Sequence, residues 1–288
     1  MAPLGLGIGF YKLAPDNFND SHGNDYSLHL DGNSDYINLG NSGTIKITET
    51  DTSEHDGITI AFWAKKDDWN VTTAASMFSC FQDNGGWAID WSTRVNFKIR
   101  IDGSTLTCTS TYKGFEAGTD VHYRSSGWAF FTGTFDGRYA KLYINGVLVT
   151  GDSSVVATVD AGSDDNAIVY NTDPATYNAD VVIGAEPGRL TGGSGTSSIG
   201  NYWPGYIDET AIWSKALSAN AVKELFDAVD DGGDPLDLTE SFGNYSNDEK
   251  DSLIGWWRME NGAEDSSSNS TTGDVKGTAD FDTDNKPS

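Results

Sequence analysis

The stretch "WAFFTGTFDGRYAKLYINGVLV", Trp128 to Val149, leaves the chain little choice of fold. Within it Asp136-Gly137 and Asn145-Gly146 stand nine residues apart, with alternating apolar residues on either side of both. Asp-Gly and Asn-Gly suit tight hairpins because Gly, Asn and Asp tolerate positive φ, and the turns that use it match the twist of the flanking strands. Between the turns Leu142 and Ile144 point one way while Lys141 and Tyr143 point the other, a period of two in which the second face is expected to be wet. The segment is an antiparallel meander.

The rest of the chain follows the same grammar. Nine Trp, twelve Tyr and thirteen Phe, with 33 Gly and only three Met, suit short strands and tight turns better than a helical bundle. "YSLHLDGNSDYINLG", "GTIKITE" and "GITIAFWAKK" read as strand-like runs bounded by Gly, Asn or Asp. A local meander of "SMFSCF", "GWAIDW", "NFKIRI" and "STLTCTST" comes next, and "DVVIG" and "YIDETAIW" are later strands. One convincing helix is predicted over 218–229: Ser218 can cap it, and Val222, Leu225, Phe226 and Val229 share one apolar stripe. The segment "SLIGWWRMENGAEDSSSNSTTGDVKGTADF" reads as a strand, a polar loop and a final weak strand.

No clean linker interrupts the 288 residues. The expected organisation is an N-terminal arm, 1–20, and a single domain, 21–288, in which 240–288 complete the fold. In the arm Leu4, Leu6, Ile8 and Phe10 alternate with glycines, a strip that could add as an edge strand to its own sheet or dock on a neighbour.

Forty-three acidic residues against eighteen basic ones give a formal charge of -25, which repels phosphate backbones and anionic lipid, so nucleic acid is not an expected partner. The charge is spread through loops, where it reads as a solvated surface and also leaves oxygen ligands for a hard cation. The first residues lack a basic region and Gly5, Gly7 and Gly9 interrupt their apolar run, a poor match to a secretory leader. No run approaches the roughly eighteen apolar residues of a membrane span. Cys80 and Cys108 fall on meander strands separated by two others, beyond disulfide reach, and the four His have no metal-like spacing.

The order of "SLHLDGNSDYINLG", "ITIAFWAKK", "GWAFFTGTFDGRYAKLYINGVLV", "VVIGAE" and "WPGYIDETAIWSKALSANAVKELF" resembles the laminin-G-like, concanavalin A-like jelly-roll family, the branch that also covers pentraxin-like and many phage structural proteins. The resemblance covers roughly residues 26 to 229 and implies an all-β, two-sheet antiparallel jelly-roll sandwich with one short helix. One departure stands out: "WWRMENGAEDSSSNSTTG", similar to a segment with which family members commonly open, lies near the C-terminus. It either completes the same sandwich by permutation, the preferred reading, or begins a truncated second copy.

The resemblance also implies a calcium site, with Asp208, Asp265 and Asn269 at the positions where the family's pattern puts side-chain ligands. The alternative is that Asp265 and Asn269 form a hydrogen-bonded turn and Asp208 satisfies buried amides. Glucanases share the architecture, and "ETDTSE" superficially carries their carboxylate spacing at Glu49, Asp51 and Glu54, but its spacers are polar where a buried catalytic strand needs apolar ones. The chain is therefore expected not to be an enzyme. Carbohydrate binding is the natural activity for the fold, through aromatics that stack on sugar faces: Tyr202, Trp203, Tyr170 and Tyr177 are the candidates, each of which could instead pack under its loop. The function expected is a non-enzymatic virion module, a capsid decoration, fibre or tail-associated protein made in the host cytoplasm. Its partners would be other virion proteins or copies of itself, with weak glycan binding. The alternative is a cellular or secreted carbohydrate-binding lectin, placed outside the cell.

Overall fold

The computed structural model describes residues 23–47, 57–81, 85–111, 115, 122–170, 179–187, 199–230 and 234–287. The arm residues Leu4, Leu6, Ile8 and Phe10 therefore lie outside the described residues, as do Glu49, Asp51, Glu54 and Tyr177. In chain order the elements begin with β1 (Ser27–Asp31), β2 (Tyr36–Asn38), α1 (Gly43–Lys46), β3 (Ile58–Lys66), β4 (Ala75–Ser79), β5 (Trp87–Trp91), β6 (Val95–Ile101) and β7 (Ser104–Thr109). The middle of the chain gives β8 (Trp128–Phe135), β9 (Tyr139–Ile144), β10 (Val147–Leu148), β11 (Thr158–Asp160) and β12 (Val182–Ile183). Last come β13 (Pro204–Trp213), α2 (Ala219–Asp230), α3 (Asn247–Asp251), β14 (Leu253–Trp257), β15 (Asp274–Lys276) and β16 (Asp280–Asp282).

The strands form two antiparallel sheets packed face to face, the jelly-roll sandwich of the concanavalin A-like fold. One has nine strands in the order β10-β9-β8-β3-β13-β1-β16, with β11 added on β9 and β14 on β13. The other has seven, β15-β2-β12-β4-β5-β6-β7. The hairpins at 136–137 and 145–146 join β8, β9 and β10, with Asn145 at φ 53° and Gly146 at φ 72°, the paired positive values that a tight reversal requires. The 240–288 segment feeds both sheets: β14 pairs β13, β16 pairs β1 and β15 pairs β2.

The space between the sheets is filled by aromatics such as Phe62, Phe78, Trp87, Phe97, Phe131 and Trp257, none more than marginally exposed. Each such side chain contributes roughly 1.5–3 kcal/mol by leaving water. Gly133 on β8 makes the close approach possible: a Cβ there would fall 2.5 Å from the Phe97 ring of the facing sheet. Cys80 and Cys108 are both buried and free, with β5 and β6 between their strands.

A third layer covers the outside of the nine-stranded sheet. Ser218 caps α2 by accepting the Ala221 amide at 3.1 Å, and the helix lays Val222, Leu225, Phe226 and Val229 onto Trp63, Phe130 and Trp213. Trp63 stacks on Phe226 at 5.6 Å. This corrects the expectation of a wet face on β9: Tyr143 is 5% exposed, because the same helix layer covers it. The strand expected at "GTIKITE" is also corrected. Gly43–Lys46 form one helical turn closed by Ile47 at φ 54°, which buries both Ile45 and Ile47 at the end of the sandwich.

The described chain starts and finishes at one place. Lys286 Nζ donates to the Asn24 carbonyl at 2.5 Å, and Ser27 Oγ donates to the Asn285 carbonyl, so Gly23 and Pro287 lie side by side at the β1–β16 edge. No helix among the described residues is long and apolar enough to cross a membrane.

Candidate functional site

The outside of the seven-stranded sheet has no third layer among the described residues, and alternation decides what it presents. On β6, Val95, Phe97, Ile99 and Ile101 face the core, so Asn96, Lys98 and Arg100 face out. On β5 the same rule turns Asp90 and Ala88 outward, and on β4 a bulge between Ser76 and Phe78 leaves Ser76 and Ser79 outside. Register then aligns these side chains into rows across the sheet. Ser76 stands opposite Asp90, Asp90 opposite Asn96, and Asn96 opposite Thr109.

The first row is a directional hydrogen-bond ladder. Thr109 Oγ1 donates to Asn96 Oδ1 at 3.2 Å, and Asn96 Nδ2 donates to Asp90 Oδ1 at 3.0 Å. Lys98 Nζ reaches the other Asp90 oxygen at 2.5 Å. At the far end Ser76 is 2% exposed and its hydroxyl has no partner among the described residues. The ladder is thus closed at Thr109 and open at Ser76.

That open end lies in a cleft of about 140 Å³. Its floor is made of small side chains, Ala75, Ser76, Ser79 and Ala88, which give it depth. One wall is Asn96 and Lys98; the other is Glu186 and Asn201, brought together by the backbone pairs between Glu186 and Gly200, at 2.8 and 3.1 Å. Asn201, at φ 48°, turns its carbonyl to accept the Ser76 amide at 2.7 Å and its side-chain amide to donate to Glu186. Half-buried Phe81 also lines the cleft, with the Lys98 ammonium 5.9 Å from its ring centre. The cleft therefore offers acceptors, donors, the apolar rings of Phe81 and Trp91 and one unused buried hydroxyl, a mixture that suits a ligand dense in hydroxyl groups.

The aromatics expected to stack on sugars are placed elsewhere. Trp203 is fully buried between the sheets, 5.8 Å from Trp69, and an enclosed indole has no face to offer. Tyr202 adjoins the cleft residue Asn201 but is tied down by its hydroxyl, which donates to the Ile199 carbonyl at 3.1 Å, and its ring lies 6.2 Å from Tyr36. Tyr170 packs against the core with its hydroxyl buried, and burial pushes its pKa well up. Sequence reasoning missed Ser76, Asp90, Asn96 and Lys98. The alternation in "GWAIDW" and "NFKIRI" marks them as outward, but only the pairing of separate strands shows that they meet.

The three residues implied as calcium ligands do not share one site. Asp265 is spent on backbone amides: Oδ1 accepts from Trp256 at 3.0 Å and Ser267 at 2.8 Å, and Oδ2 accepts from Thr271 at 2.8 Å. Asn269 is exposed and donates to the Ile254 carbonyl at 3.0 Å. These two hold a turn. Asp208 instead sits at a β-bulge, where Glu209 takes φ 47° and the register against β3 shifts, so that Ile207 and Ile212 can both face the core.

The bulge buries two adjacent carboxylates with unequal support. Glu209 accepts the Trp256 indole N–H at 2.6 Å and pairs with Arg258 at 3.2 Å. Asp208 has the Asn24 amide at 3.1 Å and the Glu209 backbone N–H at 2.8 Å. Burial pushes both carboxyls up, and for Asp208 the neighbouring Glu209 charge adds to the shift. Glu209 has the better support, from an indole N–H and a guanidinium, and the upward push is stronger on Asp208. Beside Asp208 the Asn24 Oδ1 is buried without a partner, and the Glu260 carboxyl is close enough to raise Asp208 further. An orphaned oxygen next to a buried carboxyl fits part of a hard-cation shell. Yet among the described residues no three His, Cys, Asp or Glu side chains stand close enough to share one metal ion, so the remaining ligands of a six- to eight-oxygen shell would have to be carbonyls and water.

Residues 31–179 match the Laminin_G_3 family model, described as the concanavalin A-like lectin/glucanases superfamily. A candidate carbohydrate-binding protein from Bacteroides ovatus superimposes with a TM-score of 0.53 at 13% identity, over 91% of this chain and 61% of that one, so this chain spans less than two thirds of its length. The heptameric SAP-like pentraxin from Limulus polyphemus aligns at a TM-score of 0.42 and 14% identity, over 70% of this chain and 82% of that one. The binding domain of botulinum neurotoxin DC, solved with rat synaptotagmin II, aligns at 0.40 and 16%, over 61% of this chain and 36% of that one. No curated protein matches the sequence.

Proposed function

Because the chain belongs to the Laminin_G_3 family of the concanavalin A-like lectin/glucanases superfamily, and so has a lectin-like fold, we propose that it is a glycan-binding module whose site is the cleft over β4, β5 and β6. The observation that carries the reading is the open ladder: Thr109, Asn96 and Asp90 are aligned and bonded in sequence, and Ser76 at the end has a buried hydroxyl waiting for a partner. A sugar hydroxyl seated at that end would donate to Asp90 and, once the side chains over Ser76 give way, would accept from its hydroxyl. The Bacteroides protein's description as a candidate carbohydrate binder agrees with this use of the fold.

Binding without hydrolysis is the chemistry the cleft favours. Retaining hydrolysis needs two carboxyls about 5 to 5.5 Å apart and free to act as nucleophile and acid. Here Asp90 is held by Lys98 and Asn96, and Glu186 by Asn201. Calcium, the cofactor implied by the resemblance, would be held by Asp208 and Asn24, away from the cleft residues, and would supply the positive charge that lets Asp208 ionise in a dry site.

A cleft this small gives weak affinity, of order millimolar per site, and many copies on one body multiply it. That arithmetic serves both settings expected from the sequence: a module displayed on a virus particle, with the 1–20 arm docking it, and a cellular or secreted lectin. Mass spectrometry of purified particles separates the two. The site itself is tested by a glycan array read with the intact protein and with Asn96→Ala, which is expected to keep its fold and lose at least about tenfold in signal. Unchanged binding by Asn96→Ala would move the site off this face.

A further inference from the structure

The charges around the cleft select among glycans, and this inference rests on the glycan-binding reading of that same cleft. Two carboxylates line it, Asp90 and Glu186. Among the described residues that line it, Lys98 is the single cation, and its ammonium is already engaged by Asp90 at 2.5 Å while standing over the Phe81 ring. The described lining is thus net negative by one charge, on a chain whose formal charge is -25. Recognition of a carboxylated or sulfated sugar calls for an Arg or Lys free to pair with the acid, with a bidentate Arg as the strongest form. The floor supplies hydroxyls and methyl groups instead, and the open ladder end pairs an acceptor carboxylate with a hydroxyl, a match for a neutral sugar O–H that must both donate and accept.

From these observations we infer that the cleft takes neutral glycans and excludes sialylated, uronic and sulfated ones, with Glu186 and Asp90 as the residues that set the exclusion. Lys98 acts as a positioning residue: its ion pair holds Asp90 in place for the ligand and leaves the ammonium engaged. A like charge brought within a few ångströms of Glu186 in a partly solvated cleft loses about tenfold in affinity. The repulsion is screened by salt, whereas neutral recognition is not.

The experiment uses the intact protein on an array that pairs neutral glycans with their acidic counterparts, including lactose with sialyllactose and galactose with galacturonic acid. Neutral members should bind at least about tenfold better than their partners. Raising sodium chloride from about 50 mM to about 500 mM should leave neutral binding unchanged and narrow the gap. Glu186→Gln preserves the hydrogen bond from Asn201 and removes one charge, so it should raise binding of the acidic members toward that of the neutral ones. Equal or better binding of acidic glycans by the intact protein overturns the inference and leaves the glycan-binding cleft standing. Silence across the whole array overturns the cleft reading and the inference with it. The salt series on the unmutated protein decides the matter even where Glu186→Gln fails to fold.

Discussion

The two sheets turn very different outer faces to their surroundings. Outside the nine-stranded sheet, Trp63, Phe130 and Trp213 lie under α2, and even the polar groups there are buried: Glu209 with Arg258, Trp213 with Tyr245. Outside the seven-stranded sheet, Asp90 and Asn96 stand in a row with Lys98 beside them, and among the described residues no helix lies over them. A sheet face that is covered has its side chains constrained by packing, and one open to solvent over small residues is free to carry polar side chains. The first face holds the fold; the second carries the proposed site.

The largest effects should come from breaking the covered face. Removing Arg258 as Arg258→Met leaves Glu209 buried without its cation, which costs about 3–5 kcal/mol in urea unfolding at alkaline pH. Protonation of Glu209, whose carboxyl burial already pushes up, should recover part of that loss as pH falls. Phe226→Ala, which strips the ring from Trp63, should cost a similar ~3–4 kcal/mol with no pH dependence. Either variant within about 0.5 kcal/mol of the parent would show that the helix layer is incidental.

Acid should find the packed interior before the cleft. His122 is 5% exposed, its Nε2 has no partner among the described residues, and burial lowers its pKa from 6.5 to about 4. Its neutral form is the one the fold accepts, so the associated stability is intact above pH 6.5 and is lost as pH falls toward 4. The loss amounts to about 3 kcal/mol, and His122→Phe or His122→Gln should flatten that limb of the stability curve. An unaltered limb would assign acid unfolding to other groups.

The metal effect is smaller and of opposite sign in pH. Asp208 has a raised pKa, so its stabilising contribution is present below the ordinary carboxylate range and lost as pH rises through the raised value. A bound cation would take the place of a proton at Asp208. Calcium should therefore raise the melting temperature more at alkaline than at acidic pH, by about 2–3 kcal/mol of stability at a hundredfold excess over Kd, and Asp208→Asn should abolish the increase. Asp265→Ala should weaken the turn without touching the calcium response. Identical melting curves with calcium and with chelator at alkaline pH would remove the ion from consideration.

The smallest effect sharpens the comparison most. Ser76→Ala removes a buried hydroxyl that has no partner, so it should leave stability unchanged or raise it by about 1 kcal/mol while lowering glycan binding. Lower stability in this variant would mean that Ser76 belongs to the fold rather than to the ligand.

What could be read from the sequence divides along the same line. The two Gly turns, the capped helix and the separation of Cys80 from Cys108 were legible because each depends on residues close in the chain or on simple strand order. The short helix at 247–251 carried a signal that went unused, the Ser246 and Glu249 of a capping box. Tyr143 was misread as wet because the helix that covers β9 begins some seventy residues later. The bulge at Glu209 hides in "YIDETAIW", where Ile207 and Ile212 are out of step for an unbroken strand. The cleft was illegible for a deeper reason: Ser76, Asp90, Asn96 and Thr109 become neighbours only through the registers of three strand pairs, and no single segment encodes a register. Aromatic residues drew attention because sugars stack on them, yet Trp203 serves the core, and only the three-dimensional packing distinguishes the two uses.

The side-by-side position of Gly23 and Pro287 also fixes how the domain would respond to force. Tension applied through those two points acts on the start of β1 and the end of β16, which pair as antiparallel neighbours with Ser27 opposite Asp282. Such a pull opens the ladder one hydrogen bond at a time from a single end, rather than shearing all of them together. A load carried through that corner would thus be met first by the β1–β16 edge, ahead of the interior strands of the sheet.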